Sequence, residues 1–177
     1  LVACASNPAT GGRNVVLGTQ AGEREAARRA YDQIVRYYGI YEDQAVQDYV
    51  NQVGQRVARR SDMPDLEWKF TVVDEGSINA FTTGGGYVYV HRGLLTYLNS
   101  EAELAAVLGH EIAHVTARHP ARAQSRSVLA NVLAMGAAIA TGMGQVADLA
   151  SIGAAAWVQG YGREAEMEAD RLGMKYA

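Results

Sequence analysis

Ser100-Glu101-Ala102-Glu103-Leu104-Ala105-Ala106-Val107-Leu108-Gly109-His110-Glu111-Ile112-Ala113-His114-Val115-Thr116-Ala117-Arg118-His119-Pro120 reads as one helix with marked ends. Ser100 and Glu103 form a capping box, each able to satisfy an orphan amide of the first turn. Pro120 forces a break, so the helix is expected to end near Arg118. Leu104, Leu108, Ile112 and Val115 make one apolar stripe, while Val107, His110, Glu111 and His114 lie on an adjacent face.

That second face carries chemistry. Residues four apart on a helix lie about 40° apart around the axis and roughly 6 Å along it. Two imidazoles so placed can meet one ion at Zn–N distances of about 2.0–2.1 Å. Glu111, next in sequence to the first imidazole, is badly placed as a ligand but well placed to take a proton from a water on the metal. The alternative is a pair of surface histidines beside an acid. A catalytic zinc wants a third protein ligand. The pattern H-E-x-x-H-x-x-G-x-x-H is disfavoured, because Ala117 stands where its glycine belongs and Pro120 where its third histidine belongs. His119 is one residue off and is expected to be structural or a neighbour of the site.

With no histidine further downstream, the acids Glu164, Glu166, Glu168 and Asp170 remain. Glu166 and Asp170 are four apart and share a helix face. One can bind metal while the other holds a ligand imidazole through its far nitrogen. A solvated acidic face is the competing reading. The helix carrying them is expected from Arg163 to Ala177 and stops with neither a glycine cap nor a proline, from which the natural protein is expected to continue. Val128 to Val158 is Ala- and Gly-rich and mostly apolar. At 16 residues, Val128 to Met143 is short of the ~20 needed to span a bilayer, so a buried core hairpin is favoured over membrane or partner contact.

Upstream of the motif, Gly22–Tyr38 and Glu42–Arg60 are amphipathic helices. Asp62 to Asp65 is a break. Glu67–Asp74, Ile78–Thr82 and Tyr87–His91 are short strands, the last two joined by Gly84-Gly85-Gly86, and a helical turn follows at Gly93–Leu98. Tyr87 and Tyr89 are expected to pack in the sheet. Leu1-Val2-Ala3-Cys4 resembles the end of a lipoprotein signal, in which the cysteine would be lipidated. Asn7 to Gln20 holds several Gly, Asn and Thr residues, so residues 1–20 are expected to be this signal-like segment and a flexible tether, and residues 21–177 the folded domain.

The composition agrees with such a domain. The chain has 177 residues, 49% hydrophobic and 20% charged, with a net charge of −3 and one cysteine. That excludes an intrachain disulfide, a cysteine-rich zinc site and a basic nucleic-acid footprint.

Three blocks in order resemble metallopeptidase family forty-eight, the HtpX-like, CAAX-prenyl-protease-like and BepA-like zinc endopeptidases. They are Asn79-Ala80-Phe81 with Gly85-Gly86-Tyr87-Val88-Tyr89-Val90 and Arg92-Gly93-Leu94-Leu95; Glu101 to His119; and Glu166-x-x-x-Asp170 with Arg171 and Gly173. The resemblance implies an α+β, zincin-like fold, with helices dominant and about three strands against the active-site helix. It implies one Zn2+ per chain held by His110, His114 and Glu166, with Glu111 as general base and Asp170 behind a ligand. It implies substrate contact at the edge strand through Asn79 and Ala80, with Gly85 leaving room beside it. Arg163 and Tyr161 are candidate donors to the reaction's oxyanion, with a residue beyond Ala177 as the alternative. The expected substrates are proteins or peptides, in quality control at a bacterial cell envelope, facing the periplasm. A lipid anchor through Cys4, on the outer membrane, is part of the same expectation. The alternative is a proteolytically latent, zinc-containing binding or chaperone module of the envelope.

Overall fold

The computed structural model describes residues 3–7, 9, 11, 13–16, 18–128 and 161–177. The apolar hairpin expected from Val128 to Val158 therefore lies, beyond Val128, outside the described residues. The element order is β1 (Ala3–Ser6), β2 (Arg13–Val16), α1 (Gln20–Tyr38), α2 (Gln44–Ala58), β3 (Lys69–Val73), β4 (Ala80–Gly84), β5 (Tyr87–His91), α3 (Arg92–Leu95) and α4 (Glu101–Thr116). Residues 119–128 form α5, and α6 is Arg163–Tyr176. The fold is α+β and zincin-like, with helices dominant and a three-stranded sheet.

The sheet order is β3-β5-β4, with β5 parallel to β3 and antiparallel to β4. β5 is central and buried along its whole length. Val88 and Val90 enter the main core with Val50, Val53 and Val57 of α2 and Leu104, Leu108 and Ile112 of α4. Tyr87 and Tyr89 point to the other face, where they meet Ala27 and Tyr31 of α1 and Phe81 of β4. The Tyr89 ring lies 4.8 Å from Phe81, centroid to centroid, so the two tyrosines pack as expected. Alternation along one strand thus fills two cores.

Side-chain caps open three of the helices, at Ser100 as the sequence indicates and also at Thr19 and Asp43. Thr19 accepts from the Gly22 amide at 3.1 Å, Asp43 from Val46 at 3.1 Å and Ser100 from Glu103 at 3.2 Å. Glu103 reaches back to the Asn99 amide, one residue earlier than a strict capping box, at 2.7 Å. α4 ends two residues before Arg118. Arg118 itself takes φ 59°, and its buried guanidinium pairs with Glu23 of α1. This left-handed residue turns the chain, and α5 starts with Pro120 in its first turn, where no amide donor is needed.

The stretch read as a tether contains structure. β1 and β2 pair antiparallel, with Ala3 opposite Val16 and Cys4 opposite Val15, and Val16 is fully buried. The Gly11 amide donates to Asn7 O at 2.8 Å, with Gly11 at φ 68°, closing the turn between them. Strands of four residues leave too little alternation to stand out in a Gly- and Thr-rich sequence.

α6 lies along α4. Gly109 and Gly173 meet where they cross: a Cβ on Gly109 would stand 2.7 Å from Gly173 O, and one on Gly173 would stand 2.7 Å from His110 N. Two glycines let the backbones touch, which brings the acids of α6 over the histidines of α4.

Candidate active site

His110 and His114 project from one face of α4, as their spacing requires. Their Nε2 atoms are 2.9 Å apart. Glu166, from the first turn of α6, places Oε2 3.4 Å from His110 Nε2 and 3.6 Å from His114 Nε2. Four ligands about 2.0–2.1 Å from a tetrahedral zinc stand about 3.3 Å from one another. The three separations bracket that figure, so two imidazoles and one carboxylate fit zinc in both donor type and spacing.

The far sides of the rings are held too. Asp170 Oδ1 lies 2.9 Å from His110 Nδ1. Its acceptor fixes the proton on Nδ1 and leaves Nε2 with a lone pair facing the other donors. His114 Nδ1 lies 2.9 Å from His119 Nδ1, and His119 Nε2 lies 3.0 Å from Glu168 Oε2. His119 is therefore a neighbour of the cluster and sits behind it, outside the group of converging donors. Burial, and then the charges of His110 and His119, hold His114 far below the usual imidazole range. Burial likewise lowers His119, against the opposing pull of Glu168.

Glu111 is almost completely buried beside the cluster. Burial, and then the charge of Glu166, push its carboxyl up to about 8. A divalent cation held by His110, His114 and Glu166 would favour the ionised form of this carboxyl.

β4 is the sheet edge nearest α4. His91 N donates to Asn79 O at 3.0 Å, and Phe81 stands opposite Tyr89. Antiparallel pairs alternate, so the amide and carbonyl of Ala80 and of Thr82 point away from β5 toward the open edge. Tyr161, just before α6, donates its hydroxyl to that Thr82 carbonyl at 3.1 Å. Its ring lies on His114, 4.3 Å between centroids. Burial first, then Glu111 and Glu166, raises the Tyr161 hydroxyl well above its usual value, so it stays a donor. In this structure the hydroxyl of Tyr161, a candidate oxyanion donor, is engaged by the Thr82 carbonyl. Arg163 is exposed. Gly85, expected to leave room beside the substrate edge, faces α1. It sits at φ 59° under α1, where a Cβ would stand 2.8 Å from Arg24 Cα, and its carbonyl accepts from Arg24 Nη1 at 3.0 Å. Its missing side chain makes room for a helix.

The sequence profile of peptidase family M48 matches residues 44–177, which include the sheet, the histidine pair and the acids of α6. The chain belongs to peptidase family M48. It is 32% identical over 145 residues to the beta-barrel assembly-enhancing protease of Escherichia coli, covering 77% of this chain and 30% of that protein. It is 34% identical over 143 residues to the protein of the same name from Yersinia pestis, covering 75% and 29%. Similarity to the mitochondrial metalloendopeptidase OMA1 of Schizosaccharomyces pombe is 38% over 104 residues, 56% of this chain and 30% of that protein. The chain thus spans about a third of the length of these M48 relatives. Peptidases of this family depend on zinc, in accord with the donor set of α4 and α6.

The contacts of Glu168 with His119 and with Asn7 were not legible in the sequence, although Glu168 was among the candidate acids. Glu168 stands between Glu166 and Asp170, and Asn7 Nδ2 donates to its Oε1 at 3.2 Å from the loop after β1. A histidine five residues beyond His114 was the available signal, but the turn at Arg118 that aims it is a tertiary feature.

Proposed function

We propose that this chain is the catalytic domain of a zinc endopeptidase that hydrolyses peptide bonds in proteins. The observation that carries this reading is the convergence of His110 Nε2, His114 Nε2 and Glu166 Oε2 within 4.8 Å of one another, beside a buried Glu111. His110, His114 and Glu166 would hold one zinc ion, and Asp170 would orient His110 through Nδ1. Zinc, when bound, supplies Lewis acidity toward the scissile carbonyl and lowers the pKa of a water. Glu111 takes the proton of that water as it attacks and returns it to the leaving amine. A structural zinc site has no use for such a base.

An extended substrate would add to the open edge of β4, pairing with Ala80 and Thr82 beyond Asn79. Tyr161 already occupies the Thr82 carbonyl, so an incoming strand must displace its hydroxyl. That contact supports a second reading, in which the resting site is latent and the domain acts as a zinc-containing binding or chaperone module. The bacterial relatives named for beta-barrel assembly support a role in envelope protein quality control, facing the periplasm. Among the described residues no helix is long and apolar enough to cross a membrane. An anchor through lipidated Cys4 is part of this proposal.

Zinc content and casein cleavage, measured side by side for wild type and Glu111→Gln, test it. The peptidase reading expects about one zinc in each and cleavage by wild type alone. Zinc in both and cleavage by neither favours the latent module. Absence of zinc from both overturns the ligand set.

A further inference from the structure

We propose that His119 and Glu168 form a positioning relay that locks His114 in the tautomer able to bind metal. The inference rests on reading His114 as a zinc ligand. To present a lone pair at Nε2, neutral His114 must carry its proton on Nδ1. The atom facing Nδ1 is His119 Nδ1, at 2.9 Å. Two N–H groups cannot share that line, so His119 must accept there and carry its own proton on Nε2. The atom facing His119 Nε2 is Glu168 Oε2, at 3.0 Å, which only accepts when ionised. With both rings neutral and Glu168 ionised, one proton arrangement satisfies these two contacts, and it leaves His114 Nε2 bare toward Glu166 and His110.

The parts of the relay are fixed in place. His114 and His119 are 2% exposed, so no water competes for the bond between them. Glu168 is held by Arg122 Nη1 at 3.4 Å and by Asn7 Nδ2 at 3.2 Å. The φ of 59° at Arg118 swings His119 back behind α4. α6 thus sets both imidazoles from one helix. Asp170 addresses the outer ring, His110, directly. Glu168 addresses the inner ring, His114, through His119, because His114 lies too deep in α4 for an acid to reach its far side.

Two variants separate acceptor chemistry from packing. Asparagine at position 119 can place Oδ1 where imidazole Nδ1 was, whereas glutamine places its amide nearer the old Nε2. The probe is zinc alone, competed against a chromophoric chelator at fixed pH, with near-ultraviolet circular dichroism of the metal-free chain as the folding control. Outer partners of this kind are worth about 10–100-fold in metal affinity. The expected result is a loss of that size in His119→Gln and in Glu168→Leu, with His119→Asn within a few-fold of wild type. Imidazole 15N–1H correlation spectra of the metal-free wild type should show His114 as the Nδ1–H tautomer, and His119→Gln should lose that preference. Wild-type zinc affinity in His119→Gln, or equal losses in folded His119→Asn and His119→Gln, overturns the relay. His110→Asn reads the ligand assignment separately. If it leaves zinc affinity unchanged, the ligand set falls and the relay with it. If it abolishes binding while His119→Gln does not weaken it, the relay alone is wrong.

Discussion

Gly109 of α4 and Gly173 of α6 touch backbone to backbone, and that contact sets the distance from Glu166 to the two histidines. A methyl group at either position would stand 2.7 Å from main-chain atoms of the other helix. Neither backbone can move aside as a flexible side chain would. Gly173→Ala should therefore push the helices apart and cost about 1–3 kcal/mol of stability, as overpacked cores do. Zinc affinity should fall with it, since the separations of Glu166 from His110 and His114 would lengthen together. Thermal unfolding and chelator competition on the same sample check both. Unchanged zinc affinity would show that α6 adjusts without losing register.

Glu111→Gln should keep zinc, because Glu111 contributes no atom to the converging trio. Turnover of a protein substrate should fall by about 10²–10⁴-fold, the usual contribution of a positioned base. Metal analysis with a casein assay reads this. Residual activity near wild type would remove Glu111 from the reaction.

Tyr161→Phe tests the contact on the β4 edge. Phenylalanine retains the ring against His114 and deletes only the hydrogen bond to Thr82 O. A bond of this kind is worth about 0.5–1.5 kcal/mol, so KM for a peptide should fall by roughly 2- to 10-fold while kcat stays level. If kcat instead drops by about 10²-fold, Tyr161 stabilises the transition state and not the closed edge.

His91 predicts a pH response away from the zinc cluster. It is buried at the end of β5, flanked by the rings of Tyr38 and Phe81. Its Nδ1 bonds Ser77 Oγ at 2.8 Å, and its Nε2 has no partner among the described residues. Burial lowers its pKa below the ordinary 6.5, against the opposing charge of Glu75. The unfolded chain then binds a proton that the folded chain refuses as pH falls below 6.5, so this stability is present above 6.5 and lost beneath it. In metal-stripped protein the drop in Tm from pH 7 to 5 should be smaller for His91→Phe than for wild type. Parallel curves would refute the assignment.

The helices, the strands from Glu67 to His91 and the motif face of α4 were legible because each rests on local signals. Caps, periodicity of 3.6 or 2, and glycine turns act within a few residues. Boundaries moved by about two residues where the signal was weakest, as at β4, which starts at Ala80 and not at exposed Ile78. The β1–β2 hairpin escaped because four-residue strands carry almost no period. The neighbours of Gly85 and Tyr161 escaped because they depend on what packs against them.

What the sequence determined by itself is the chemistry: two imidazoles one turn apart, a base beside them, and a distant pair of acids on one helix face. Spacing narrowed the third donor to Glu166 or Asp170, and the family resemblance favoured Glu166, but helical spacing alone does not say which of the two meets the histidines of α4. The tertiary structure decided that. The Gly109–Gly173 crossing brings Glu166 to the trio and Asp170 to His110, and the turn at Arg118 gives Glu168 to His119. Contacts between residues more than 45 apart are fixed by packing of whole helices, and no local pattern encodes them.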